Sequence, residues 1–174
     1  MNEYIDLLKK YSSTQESFDV VSRHSLEVLS KAIGIIAKKN LTDKIDFDLV
    51  VSGCLLHDIG TFCFLEKKGM EGYIRHGVIG AEILEKEGLE KEALIAKRHT
   101  GAGLTKEDIA EANWPLPHED LLPQTLEERL VCYSDKFSSK LPGKIDTLET
   151  IEKEFESYGP GSLARFRALR EEFE

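Results

Sequence analysis

The sequence predicts an all-α fold. Apolar residues recur at offsets of three and four along most of the chain, helix-capping patterns precede several of these runs, and the polar–apolar alternation of strands is nearly absent. Leu26, Leu29, Ile33 and Ile36 mark a helix from about Ser22, its expected cap, to Lys39, and Asn40 to Asp43 read as a break. A second helix is expected from Asp46 to Ile59. Val50, Val51, Cys54, Leu55 and Leu56 make it apolar on nearly every side, which suits a central position, and Gly60 is expected as its left-handed stop. A third helix should start near Tyr73 to His76 and end at Gly88, and a fourth should run from Glu90 to about His99. Thr105-Lys106-Glu107-Asp108 resembles a capping box. Thr125-Leu126-Glu127-Glu128 matches one fully and should open a helix through Ser138. Residues 113–123 contain Pro115, Pro117 and Pro123 and read as a loop. From Lys144 to Phe173 the pattern is one or two amphipathic helices broken at Gly159-Pro160-Gly161.

At 174 residues with 41% hydrophobic content, the chain suits a single domain. Its core is expected over about 22–139 and a helical extension over about 144–174. The net charge of −9 argues against a nucleic-acid polymer as partner, because phosphate neutralisation needs a basic face. No apolar run is long enough for a transmembrane helix, so no membrane partner is expected. Cys54, Cys63 and Cys132 cannot all pair and sit in apolar contexts. They read as buried reduced thiols, and the expected location is cytoplasmic.

The chemistry concentrates in Leu55-Leu56-His57-Asp58-Ile59-Gly60. An imidazole and a carboxylate in an apolar helix need partners, either a salt-bridged network or a metal ion. His24 faces inward beside Val20, Val21 and Val28, and Asp135 follows Leu130, Val131 and Cys132 on another apolar helix. Taken singly, each is more often a satisfied core residue. Together they are side chains converging from neighbouring helices, which is how bundles build metal sites.

His24, His57-Asp58 and Asp135, in that order and on helices, resemble the signature of the HD superfamily of metal-dependent phosphohydrolases. His57-Asp58-Ile59-Gly60 matches the HDIG form of its central motif letter for letter. The resemblance covers roughly Ser22 to Ser139 and implies an HD-type helical bundle. His76 and His99 extend the order to His, His-Asp, His, His, Asp, which resembles HD members that bind two metal ions. That likeness implies that Asp58 bridges two divalent ions, with His24, His57 and Asp135 on one and His76 and His99 on the other. Asp58 and His57 are then the expected catalytic pair. Mn, Fe, Co, Ni, Mg and Zn are not distinguished. His118, in a proline-rich loop, reads as solvated.

Such ions attract phosphate and activate water at neutral pH, so the expected substrate is a small phosphorylated anion and the reaction hydrolysis of a phosphomonoester, nucleotide or cyclic nucleotide. Arg75, Arg98 and Lys136 each adjoin an expected ligand and are candidate phosphate contacts. The chain departs from two branches. Cyclic-dinucleotide phosphodiesterases of the HD-GYP type carry a lysine where Thr61 stands and a histidine pair where only His99 stands. A nucleotidase branch carries a glutamate where Gly60, Thr61 and Phe62 lie. Neither substrate carries over. Myo-inositol oxygenase resembles the same ligand order with two irons, so oxygenation is the alternative chemistry. A nucleotide-binding sensor without turnover is the non-enzymatic one.

Overall fold

The computed structural model describes residues 2–65, 72–138 and 147–174. Lys144 to Asp146, the start of the expected C-terminal extension, lie outside them. Among the described residues the α-helices are α1 (Asn2–Tyr11), α2 (Gln15–Lys39), α3 (Phe47–Leu56), α4 (His76–Lys86), α5 (Glu90–Arg98), α6 (Lys106–Glu111), α7 (Leu126–Asp135), α8 (Leu148–Ser157) and α9 (Pro160–Phe173). Short 3₁₀ turns occupy Ile59–Cys63 and Tyr73–Arg75. The described residues hold only two isolated β-bridges, so the fold is all-α as expected. None of these helices is long and apolar enough to cross a membrane.

Caps explain where the helices begin. α2 starts well before Ser22 because Thr14 and Ser17 form a reciprocal capping box. Ser22 sits inside the helix. Leu29 and Ile36 are buried as the periodicity suggests, but Leu26 and Ile33 are 48% and 42% exposed. The inward face is shifted to Val21, His24, Val28, Ala32 and Ile35, and it carries a buried histidine within an apolar stripe. α1, not anticipated from the sequence, buries Leu8 and packs on α2 and α3. α3 is capped by Asp46, whose side chain accepts from the Leu49 N–H at 3.1 Å. It is the hub of the bundle, packed against α1, α2, α5 and α7 with Val50, Cys54, Leu55 and Leu56 fully buried.

α3 ends at Leu56, before the expected Ile59, and Gly60 is not its left-handed stop. Gly60 lies inside the first 3₁₀ turn with an ordinary backbone conformation. Its missing side chain serves a different end. A Cβ there would stand 2.1 Å from the His76 carbonyl oxygen and 2.5 Å from the Gly80 nitrogen. The turn carrying Asp58 can therefore touch the first turn of α4, which carries His76, only through a glycine. The same turn leaves Cys63 exposed, whereas Cys54 and Cys132 are buried as expected.

The remaining elements follow their signals closely. α4 stops before Gly88 in the left-handed region, α6 has the Thr105–Asp108 box, and the C-terminal pattern resolves into two helices split at Gly159 and Pro160. α7 departs from its box in one respect. Thr125 accepts from the Glu128 N–H, but the Glu128 carboxylate turns to Arg98 and the Gln124 N–H instead of returning to Thr125. α8 and α9 add Ile151, Phe155, Phe166, Leu169 and Phe173 to the central core, and the Phe155 and Phe166 rings stack at 4.6 Å.

A pair of substitutions tests the close approach. Gly60→Ala drives a Cβ into backbone that cannot yield cheaply, and a loss of about 3 kcal/mol or more is expected. Gly34→Ala, on α2 with nothing within 4 Å, should instead gain about 0.5–1 kcal/mol. Denaturant titration of both variants compares them directly, and equal stabilities contradict this role for Gly60.

Candidate metal centre

Six side chains from five helical elements meet at the end of α3. His24 comes from the middle of α2, and His57 and Asp58 follow the last residue of α3. His76 is the first residue of α4, His99 follows the last residue of α5, and Asp135 closes α7. All four histidines and Asp58 are buried, and the Asp135 side chain is 12% exposed. The structure thus brings together every ligand expected from the sequence.

Their orientation is set by the nitrogen that does not face the centre. His57 Nδ1 donates to the Cys54 carbonyl at 2.9 Å, His76 Nδ1 to Tyr73 at 2.8 Å and His99 Nδ1 to Ala96 at 2.7 Å. Each acceptor lies three residues upstream, so the helical turn itself clamps the ring. A carbonyl can only accept, so Nδ1 carries the proton and a neutral ring presents an Nε2 lone pair inward. His24 Nδ1 contacts the Ser138 hydroxyl at 3.0 Å, which orients that ring in the same sense.

The inward atoms fall into two groups that share Asp58, and a third set, His57, His99 and Asp135, runs between them. In the first, His24 Nε2 lies 3.2 Å from His57 Nε2, 3.2 Å from Asp58 Oδ2 and 3.0 Å from Asp135 Oδ1. His57 Nε2 lies 3.7 Å and 3.4 Å from the same two oxygens. In the second, His76 Nε2 and His99 Nε2 are 2.9 Å apart and stand 3.4 Å and 3.5 Å from Asp58 Oδ1. Ligand bonds of about 2.0–2.2 Å in an octahedral or tetrahedral centre put neighbouring donors about 2.8–3.6 Å apart. All of these spacings except the 3.7 Å between His57 and Asp58 fall in that range, and Asp58 offers one oxygen to each group.

The electrostatics also call for a cation. Two Nε2 lone pairs facing each other at 2.9 Å repel unless positive charge lies between them. Burial pushes His99 below its ordinary pKa and so works against a proton as that charge. Burial opposes charge on His24 as well, yet its hydrogen bonds to Asp135 and Asp58 raise it to about 9. Burial would raise Asp135, but Lys136, His24 and His57 hold it well below the usual carboxylate range. These carboxylates draw a proton onto the nearest base where a divalent ion would serve the same purpose. The donor set therefore fits divalent metal.

A cavity of about 770 Å³ opens above the cluster. His76, His99 and Asp135 line it, whereas His57 and Asp58 lie beneath its floor. Lys136 faces it with Nζ 2.6 Å from Asp135 Oδ2 and 3.2 Å from the His99 carbonyl oxygen. The other two candidate phosphate contacts are not brought to this cavity. Arg75 is exposed, and the wall runs through Tyr73, Ile74 and His76 instead. Arg98 binds both oxygens of buried Glu128, at 3.0 Å and 2.9 Å. That pair ties α5 to α7 just before His99, so Arg98 supports the site from behind. Arg165 of α9, which sequence reasoning missed, lines the cavity and pairs with Asp108 of α6. No local motif announces it. His118 is exposed, as its loop suggests.

Comparison with known proteins gives a consistent picture. Residues 21–140 match the HD domain family. The chain is 41% identical over 156 residues to an uncharacterized protein of Methanocaldococcus jannaschii, covering 87% of this chain and 86% of that one. It is 35% and 32% identical to the tRNA (cytidine(56)-2′-O)-methyltransferases of Thermoplasma volcanium and Picrophilus torridus. Those matches cover 75% and 91% of this chain but only 34% and 43% of the longer relatives. Among solved structures, the HD domain of the L. monocytogenes phosphodiesterase PgpH in complex with cyclic-di-AMP superposes with a TM-score of 0.57 at 16% identity. That superposition covers 96% of this chain and 92% of the other.

The role of Arg98 is open to a direct test. Removing it leaves Glu128 buried without its cation, so Arg98→Ala should lower stability by about 3 kcal/mol in urea titration. Unchanged stability together with a raised KM would return Arg98 to substrate binding.

Proposed function

The chain belongs to the HD domain family, and on that premise we propose that it is a divalent-metal-dependent phosphohydrolase with two ions. His24, His57 and Asp135 would hold one ion and His76 and His99 the other, with Asp58 facing both sets. The observation that supports this most is the spacing of the inward donor atoms, which falls on coordination edges in two groups sharing Asp58. Bound there, the ions supply a Lewis acid for phosphoryl oxygens and a water activated at neutral pH. In that chemistry the water oxygen would bond to phosphorus as the ester P–O bond breaks, and the proton that the water gives up would pass to the leaving oxygen.

The protein's own residues set the geometry. His57 and Asp58 act from beneath the floor, as holders of the ions. Lys136, anchored by Asp135 and the His99 carbonyl, presents positive charge at the floor where a phosphate would rest. Buried apolar packing under the cluster limits entry of water from that side.

The cavity suggests what the phosphate is attached to. Its volume lies within the range of small-molecule sites. Tyr73, Trp114, Phe155 and Tyr158 offer flat surfaces, while Glu111 and Glu154 place carboxylates on the wall and Asp108 is paired there with Arg165. A polyphosphate tail meets repulsion there. An ester with one phosphate and a flat, uncharged remainder fits, a nucleoside monophosphate being the simplest example. The fold likeness to a phosphodiesterase bound to a cyclic dinucleotide is a precedent for phosphoester chemistry on this bundle. The methyl-transfer activity named for the longer relatives has no counterpart in this donor set.

Two experiments test the reading. Protein purified without chelator should contain two divalent ions per chain, His76→Ala/His99→Ala should contain one, and His57→Ala or Asp58→Ala should abolish turnover. A full metal complement in Asp58→Ala sinks the bridge. Under strict anaerobiosis, Mn²⁺- or Co²⁺-loaded enzyme should hydrolyse a nucleoside monophosphate with kcat/KM at least about tenfold above the matching triphosphate, or about 1.4 kcal/mol of discrimination. Activity confined to iron and dependent on dioxygen replaces hydrolysis with oxygenation.

A further inference from the structure

His24 differs from the other three histidines in how its outer nitrogen is held. His57, His76 and His99 each use a carbonyl of their own helical turn. His24 Nδ1 reaches across the sequence to the hydroxyl of Ser138, three residues beyond Asp135. A turn after α7, in which the Ser138 N–H donates to the Asp135 carbonyl at 3.3 Å, returns Ser138 to the Asp135 side. The end of α7 thereby grips the His24 ring from both sides, Asp135 Oδ1 at Nε2 and Ser138 Oγ at Nδ1, each at 3.0 Å.

The direction of these hydrogen bonds follows from the next residue. The Ser138 hydroxyl donates to Glu27 Oε2 at 2.5 Å. That bond, against an opposing effect of burial and with help from Arg23, holds the Glu27 carboxyl below its ordinary range, so Glu27 is an ionised acceptor. With its single proton committed to Glu27, the hydroxyl can only accept from His24. Nδ1 therefore keeps its proton, which leaves Nε2, facing Asp58 and Asp135, as the nitrogen that would bind a metal. Glu27 lies three residues after His24 on α2, so the chain of bonds closes on the helix where it began.

We propose that Ser138 and Glu27 are positioning residues for metal binding at His24, a side-chain relay doing what the backbone does for the other three histidines. The proposal rests on the two-ion reading of the cluster. It also has a directional consequence. Ser138 lines the cavity, so the outer support of His24 lies on the substrate side, whereas His57 is held from the apolar core. Loss of the hydroxyl leaves His24 able to rotate or to adopt the other tautomer, and outer partners of this kind carry roughly ten- to a hundredfold in metal affinity.

The test is calorimetric titration of Mn²⁺ into chelator-stripped wild type, Ser138→Ala, Ser138→Thr and Glu27→Gln. Ser138→Ala should weaken one of the two ions roughly ten- to a hundredfold and leave the other unchanged. Ser138→Thr, which keeps the hydroxyl, should bind as wild type, and Glu27→Gln should fall between. Thermal melts of the metal-free proteins should coincide, which separates positioning from a structural role. Wild-type affinity for both ions in Ser138→Ala overturns the relay. So does a Thr variant as weak as the Ala variant, or equal weakening of both ions with a lowered melt. Fewer than two ions in the wild type overturns the two-ion reading itself, so the two failures are distinct.

Discussion

Lone pairs and carboxylates crowd to within 2.9–3.7 Å of one another at and beneath the floor of the cavity, on an otherwise apolar core. Groups of that kind repel in a low-dielectric interior unless positive charge lies among them, and most of the architecture serves to hold them against that repulsion. Three rings are locked through Nδ1 to carbonyls of their own turns. The 3₁₀ turn after α3 is pressed against α4 through Gly60, and α5 is tied to α7 through Arg98 and Glu128. Each restraint acts on a helix end, because there a side chain can point along the bundle towards a common centre without breaking the apolar contacts between helices.

Much of this was legible from residues alone, for a physical reason. A polar group in an apolar helical stripe is expensive, so His24, His57, Asp58 and Asp135 stand out by position as much as by motif. His76 and His99 are visible because each adjoins a helix end. Less was legible where a residue acts through a distant partner. Gly60 reads as a helix stop until Gly80 is seen beside it. Arg98 reads as a phosphate contact until Glu128, thirty positions away, is found to be buried and to need it. Ser138 and Glu27 are ordinary surface types in sequence, and only their convergence on His24 gives them a role. The exposure of Leu26 and Ile33 has the same origin. Periodicity shows a helical face, but which side of that face turns inward depends on the His24 position and its neighbours.

The C-terminal helices are a case where sequence motifs are silent and packing is informative. α8 and α9 carry no part of the metal-ligand pattern, yet they share the central core and furnish Phe155, Tyr158 and Arg165 to the cavity wall. The candidate metal donors thus lie before residue 136, whereas Ile151, Glu154, Phe155, Tyr158 and Arg165 of the cavity wall come after it. The chain matches 34% and 43% of the length of two longer methyltransferases.

The central claim is that Asp58 joins two cations through its two oxygens. Electron paramagnetic resonance of the Mn²⁺-loaded protein addresses this without relying on turnover or on any chosen substrate. Two Mn²⁺ ions bridged by one carboxylate are close enough for their spins to couple. The account predicts an exchange-coupled multiline spectrum at two equivalents that collapses to a single-ion signal in the His76→Ala/His99→Ala protein. A spectrum of uncoupled single ions at two equivalents in the wild type would contradict it.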